Sequence, residues 1–261
     1  MQENERAKAN GNGLNGNGNG RNGYRNGRST IDVLPNIQTF TPADFRDNDN
    51  IIGINDNVET YEQTEIVTGS PEQMAAVEKA IHDLLDAFNV NWEDPNYTET
   101  PKRVAKAYLE YWVNGYARNA EDEITIFPNS STSEDMVIVK DMRFHSLCSH
   151  HLAPIEGYGA IAYIPDKNLL GLSKLGRILD IYARRFQLQE RIGQQTADAI
   201  MELLKPKGVM VILYNVTHGC MSSRGVKLHE ANTTTFTSRG VFKDNPMLRS
   251  EVMNMLSTRN P

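Results

Sequence analysis

MVIVKDMRFHSLCSHHLAPIEGYGAIAYI, residues 136–164, contains two strands and the connection between them. Val137, Val139, Met142 and Phe144 give the first strand, running from Met136 to Leu147. Tyr158, Ala160, Ala162 and Ile164 alternate in the second, from Gly157 to Ile164. The connection carries Cys148-Ser149-His150-His151. Loops held by rigid strands are common places for chemistry, so this stretch speaks to both architecture and function.

Working outward, a second strand pair follows Pro206-Lys207-Gly208. Its members are Val209 to Cys220 and a threonine-rich run from Asn232 to Phe242, with an Arg224-Gly225 turn between them. Two helices separate the strand pairs. One runs from Gly171-Leu172-Ser173 to about Phe186, with Ser173 as N-cap and Leu175, Ile178, Leu179 and Tyr182 on its apolar face. The other spans Gln189 to Leu204, with Ile192, Thr196, Ala199, Ile200 and Leu203 inward. Ser70-Pro71-Glu72 opens an earlier helix whose apolar residues from Met74 to Phe88 recur at the spacing of one buried face. A helix from Thr98 or Thr100 to Gly115 follows it, and one from Asp244 to Ser257 closes the chain. Strands paired in twos with helices segregated between them predict an α+β fold with an antiparallel sheet, preceded by N-terminal helices.

The chain has 261 residues and a formal net charge of −6. That acidic balance argues against a general nucleic-acid binder, which needs Lys and Arg to neutralise phosphates. No apolar run approaches the ~20 residues that span a bilayer, so a soluble, cytoplasmic protein is expected. Residues 1–30 are rich in Asn and Gly and too poor in apolar side chains to offset the entropy of ordering. They predict a disordered tail, residues 31–70 a linker, and 71–261 the folded domain.

Only two cysteines are present, Cys148 and Cys220, and each lies within two residues of a histidine. Thiolate and imidazole are the donors Zn²⁺ prefers, and three such ligands leave a fourth position open for chemistry. A disulfide, or two buried small side chains, would account for the cysteines equally at this level. Lys174 and Arg177 are three apart near a helix start, where free N–H groups favour anions. As ordinary surface charges they would occupy the same positions. Glu190, in the first turn of its helix, either complements the helix dipole or accepts a pair of N–H bonds such as guanine offers. Lys102 and Arg103 form a solvated cationic face.

Four motifs together resemble the signatures of GTP cyclohydrolase I: Cys148-Ser149-His150-His151, GLSKLGR at 171–177, QLQER at 187–191 and THGCMSSRG at 217–225. They stand in that family's order over roughly residues 71–258. The resemblance implies the tunnelling fold, a homodecamer with sites between subunits, and conversion of GTP and water to 7,8-dihydroneopterin triphosphate and formate. It implies one zinc per subunit on Cys148, His151 and Cys220. It makes His150, His218 and Ser173 catalytic, Glu190 with Gln189 the guanine site, and Ser173, Lys174, Arg177 and Arg224 the triphosphate site. Arg103 matches an arginine that reaches a neighbouring subunit. His82, His145 and His229 match no role and are expected to be structural or surface groups. One departure lies inside the central motif, where Ser149 replaces the family's usual glutamate, putting in question the support that orients the paired histidines. Gly219, between His218 and Cys220, is expected to loosen the strand end without removing a ligand.

Overall fold

Ser70 starts the first helix as its sequence requires. Its Oγ accepts from Gln73 N at 3.1 Å, Pro71 follows at the first helical position, and Glu72 lies in the first turn. The computed structural model describes residues 69–130, 135–224 and 229–257. The expected tail at 1–30 and all but the last two residues of the linker at 31–70 lie outside that set.

Helix α1 (Pro71–Ala87) packs on α3 (Thr100–Ala107) after a short α2 (Pro95–Thr98). The expected burial of the α1 apolar face is not found among the described residues. Leu84 is 52% and Phe88 75% exposed, because α3 covers only part of that face. The second expected helix is interrupted. Tyr108–Trp112 forms a π turn, with Val113 N donating to Tyr108 O at 2.9 Å, and a 3₁₀ turn covers Asn114–Ala117.

After α4 (Ala120–Glu123), β1 (Ile126–Pro128) pairs antiparallel with β4 (Asn168–Leu170). The main sheet has the order β5-β2-β3-β6-β7, formed by β2 (Val137–Cys148), β3 (Pro154–Ile164), β5 (Phe186–Gln187), β6 (Gly208–His218) and β7 (Thr233–Gly240). Its β2-β3, β3-β6 and β6-β7 pairs are antiparallel, as expected. The β2-β5 pair is parallel, so the sheet is mixed. The chain leaves α5 (Leu172–Ala183) beside the end of β2 and runs with it for two residues before α6 (Gln189–Leu204) begins. Helix α5 starts two residues earlier than expected. Gly171 occupies the cap and Ser173 lies inside the first turn, because Gly171 N–H is spent on Thr125 O at 3.1 Å where β4 ends.

Helices α5 and α6 cover one face of the sheet, burying Phe144, Ile161, Leu175, Leu179, Ile192 and Ile200 with the inward residues of β6. Each such side chain contributes about 1.5–3 kcal/mol by leaving water. The opposite face buries Ala160, Ala162, Met210, Ile212, Phe242 and Val252 beneath α8 (Val241–Asp244) and α9 (Pro246–Ser257). Both faces of β3 and β6 are therefore covered, and their strands read as nearly continuous apolar runs. The last strand stops at Gly240 rather than Phe242, since Gly240 takes φ +57° and turns the chain into α8. The result is the α+β, tunnelling-type arrangement anticipated, with the ends of β2 and β6 side by side through β3.

A bulge in β2 is held from β6. Asp141 adopts φ +60°, its N–H donates to Tyr214 Oη at 3.0 Å, and Tyr214 O–H donates to Asp141 Oδ1 at 2.7 Å. Burial first, and this carboxylate second, push the Tyr214 phenol up to about 12 from 10.0. A raised folded-state value contributes stability that is full below the unfolded value and is lost as pH rises through the folded one. Tyr214→Phe should therefore cost about 1 kcal/mol at neutral pH, the bond being partly exposed. The gap from the parent should close between pH 10 and about 12. Urea unfolding of both proteins across that range measures it.

Candidate metal and nucleotide site

The turn after β2 is fixed by its backbone. Cys148 N donates to Ala153 O and Leu152 N to Cys148 O, both at 2.8 Å, while His151 N reaches Cys148 O at 3.3 Å. Leu152 takes φ +53° to close it. Ser149 N continues the parallel ladder onto Gln187 O at 3.0 Å. The exposed Ser149 hydroxyl has no partner among the described residues.

Strand β6 ends beside this turn, with His218 opposite Ile155 of β3. The expected strand does not continue to Cys220. A single helical turn, α7 (Gly219–Ser222), folds the chain back. Gly219 makes that return possible, because a Cβ there would stand 3.1 Å from Pro154 Cδ. Its role is a close approach rather than the loosening anticipated. Cys220 Sγ thereby lies 3.9 Å from Cys148 Sγ, although 72 positions separate the two in sequence. Both thiols are free. His151 Nδ1 lies 3.8 Å from Cys148 Sγ, and Cys148, His150 and His151 place ligand atoms within 4.8 Å of one another.

These separations fit a metal. Four ligands at ~2.3 Å in a tetrahedron stand ~3.8 Å apart, whereas disulfide sulfurs stand ~2.05 Å apart. Burial, and then the Cys148 thiol beside it, push the Cys220 thiol up, while Arg224 opposes the shift. Arg224 Nη1 lies 2.9 Å from His151 Nε2. A guanidinium only donates, so in this arrangement Nε2 accepts and the ring proton sits on Nδ1, toward the thiol.

His218 Nε2 contacts Gln189 Oε1 at 2.8 Å and Thr233 Oγ1 at 3.2 Å. Burial lowers the His218 pKa, and the Glu190 carboxylate opposes that shift. Glu190 is exposed in the first turn of α6, while Gln189 beside it is 3% exposed with its amide committed to its neighbours.

Of the expected phosphate residues, Ser173, Lys174 and Arg177 share the first turns of α5, whereas Arg224 follows α7. Ser173 is exposed and Lys174 half-buried, while Arg177 Nη1 is bound to Glu123 Oε2 at 2.9 Å. That bond, reinforced by Arg118, holds the Glu123 carboxyl below its ordinary value. Among the described residues no hydrogen bond or ion pair joins Ser173, Lys174, Arg177 or Arg103 to the cysteine–histidine cluster. Arg103 is exposed on α3. His145 pairs with Glu156 Oε1 at 3.2 Å, and His82 stacks on Trp92 at 4.2 Å. The turn also borders a cleft of about 730 Å³ whose walls include Tyr108, Trp112, Leu147, Leu152 and Pro154. The Glu123 partner of Arg177 and the threonines around Gln189 were not anticipated from sequence.

Residues 77–257 match the family model of GTP cyclohydrolase I. A GTP cyclohydrolase 1 of Deinococcus radiodurans is 41% identical over 184 residues, which span 70% of this chain and 84% of that protein. The protein of the same name from Thermobifida fusca is 42% identical over 186 residues, spanning 70% of this chain and 88% of that one. The one from Streptococcus suis is 42% identical over 188 residues, 70% of this chain and 97% of its own length.

Proposed function

The chain belongs to the GTP cyclohydrolase I family, and from that premise we propose that it converts GTP and water to 7,8-dihydroneopterin triphosphate and formate, with one zinc per subunit held by Cys148, His151 and Cys220. The observation that carries this reading is the 3.9 Å approach of the two cysteines, with His151 at 3.8 Å from one of them. A zinc ion held there supplies Lewis acidity and makes water nucleophilic near neutral pH.

The remaining steps belong to side chains. His150, exposed beside the ligands, donates a proton to N7 of the purine so that C8 becomes electrophilic. His218 and Ser173 move protons during the sugar rearrangement and reclosure. Glu190 accepts the paired N–H groups of guanine, and Gln189 supports that end of the pocket from its buried position.

Lys174, Arg177 and Arg224, with Ser173, hold the triphosphate, whose charge an acidic protein can accept only at a local cluster of cations. Two of these arginines must change partner to do so. Arg177 exchanges Glu123 for phosphate. Arg224 leaves His151, since ligation through Nε2 takes its acceptor and ligation through Nδ1 puts a proton on Nε2. Arg103 completes the site from a neighbouring subunit, in a homodecamer. The partly uncovered apolar face of α1 and the 59% exposure of Phe236 on β7 support such contacts between copies. No described helix is long and apolar enough to cross a membrane. A cytoplasmic setting suits the site because it keeps thiols reduced and available to metal.

Purified full-length chain supplied with zinc and GTP should release formate and, after oxidation, yield a fluorescent pterin. Light scattering on the same sample should give the mass of a decamer. Folded, metal-loaded protein that releases no formate would overturn the reading.

A further inference from the structure

Gln189, Thr233 and Thr235 form a closed set of hydrogen bonds around one nitrogen of His218. Thr233 O–H donates to Gln189 Oε1 at 2.5 Å, and Gln189 Nε2 donates to Thr235 Oγ1 at 3.1 Å. The remaining lone pair of Oε1 faces His218 Nε2 at 2.8 Å. The amide oxygen of Gln189 is placed toward Thr233 and the imidazole, and its nitrogen toward Thr235.

We propose that Thr233 and Thr235 are positioning residues which, through the Gln189 amide, hold His218 in the tautomer protonated on Nε2 and leave Nδ1 as its working nitrogen. Gln189 is 3% exposed, so water cannot relieve two acceptors placed face to face, and Nε2 must carry the proton. His218 Nδ1 has no partner among the described residues. The inference rests on the reading of His218 as a proton-moving group in the proposed reaction.

Local structure explains why these side chains meet. Thr233, Thr235 and Thr237 alternate along β7, so their side chains share one face, and that face is half-buried while Thr234 and Phe236 are exposed. The half-buried face packs on α6. Gly193 lies four residues after Gln189 on α6, where a Cβ would stand 3.0 Å from Thr237 Oγ1. The absent side chain lets the helix approach the strand closely enough for Gln189 to reach both hydroxyls.

The test is the ¹⁵N spectrum of histidine-labelled, zinc-loaded, full-length protein at one mildly alkaline pH, with His218 assigned by the signals lost in His218→Gln. The expected spectrum has a pyrrole-type Nε2 and a pyridine-type Nδ1. Thr235→Val removes the acceptor that orients the amide. It should shift protonation toward Nδ1 and lower kcat about tenfold, leaving zinc content unchanged and KM for GTP within about twofold. Thr235→Ser should restore both tautomer and rate. A parent spectrum protonated on Nδ1 overturns the proposal, as does a slow Thr235→Val with unaltered tautomer, or one whose KM alone rises. The spectrum needs no turnover, so it still judges the clamp if the chain proves inactive on GTP. The parent and Thr235→Ser spectra judge it if Thr235→Val does not fold.

Discussion

Cys220→Ser should fold like the parent yet lose zinc and turnover together. Ser occupies the same space with a shorter bond, and Cys220 is only half-buried in a one-turn helix, so the packing cost is about 1 kcal/mol or less. The effect on the metal is far larger. Removing a group that merely supports a ligand costs about 10–100-fold in affinity, so removing a thiolate itself should cost on the order of 10³-fold. Thiolate also suits zinc better than an uncharged hydroxyl does. Atomic absorption after dialysis should find the variant nearly metal-free, and formate release should fall in proportion. A variant that kept both zinc and rate would remove Cys220 from the ligand set. The four-residue stretch of Cys148, His150 and His151, whose donor atoms already lie within 4.8 Å of one another, would then be the metal site. The approach of the two thiols to 3.9 Å is the observation that favours Cys220.

The cysteine–histidine cluster was legible because cysteine is scarce here and stands beside histidine in the sequence. What was not legible is how Cys220 arrives. Alternation along Val209 to Thr217 suggests that the strand simply continues, and only the contact of Gly219 with Pro154, from a different strand, shows why the chain turns. Helix α6 was readable from end to end, since its apolar spacing is unbroken and Pro206 follows it. Strand β5 was not, because Phe186-Gln187 is too short to carry a pattern and depends on the end of β2 for its partner. The α1 face shows the opposite error. Its spacing says correctly which residues are apolar, but spacing cannot say whether the cover comes from the same chain.

Among the site residues, partnership was the hidden quantity. Lys174 and Arg177 were recognisable as cations near a helix start, yet nothing local indicates that Arg177 is bound to Glu123, 54 positions away. Thr233 and Thr235 look like ordinary strand residues, since threonine is favoured on a half-buried pleated surface for its shape alone. Their hydroxyls acquire meaning only when α6 brings Gln189 against them. Ser149 shows the reverse case. A missing carboxylate could be noticed in the sequence, while the backbone bond from Ser149 N to Gln187 O, which does not depend on the side chain, could not.

His150→Ala separates the two roles that adjacent histidines could play, and it should keep zinc while losing ring opening. His150 and His151 rings are 6.0 Å apart and nearly perpendicular, so one can face a metal while the other faces what approaches it. His151 is the one whose Nδ1 lies beside the Cys148 sulfur. Removing a positioned proton donor costs about 10²–10⁴-fold in rate. Zinc should remain near one per chain, and GTP affinity should change only slightly, since Glu190 and the α5 cations lie on other elements. Formate release measures the chemistry and atomic absorption the metal. Full turnover would end the catalytic role of His150, and loss of zinc would move it into the ligand set. The double variant with Cys220→Ser sharpens the distinction. Groups that act on one reaction centre are not additive, so the pair should be no slower than Cys220→Ser alone. A further large drop would mean that His150 works at a step that does not need the metal.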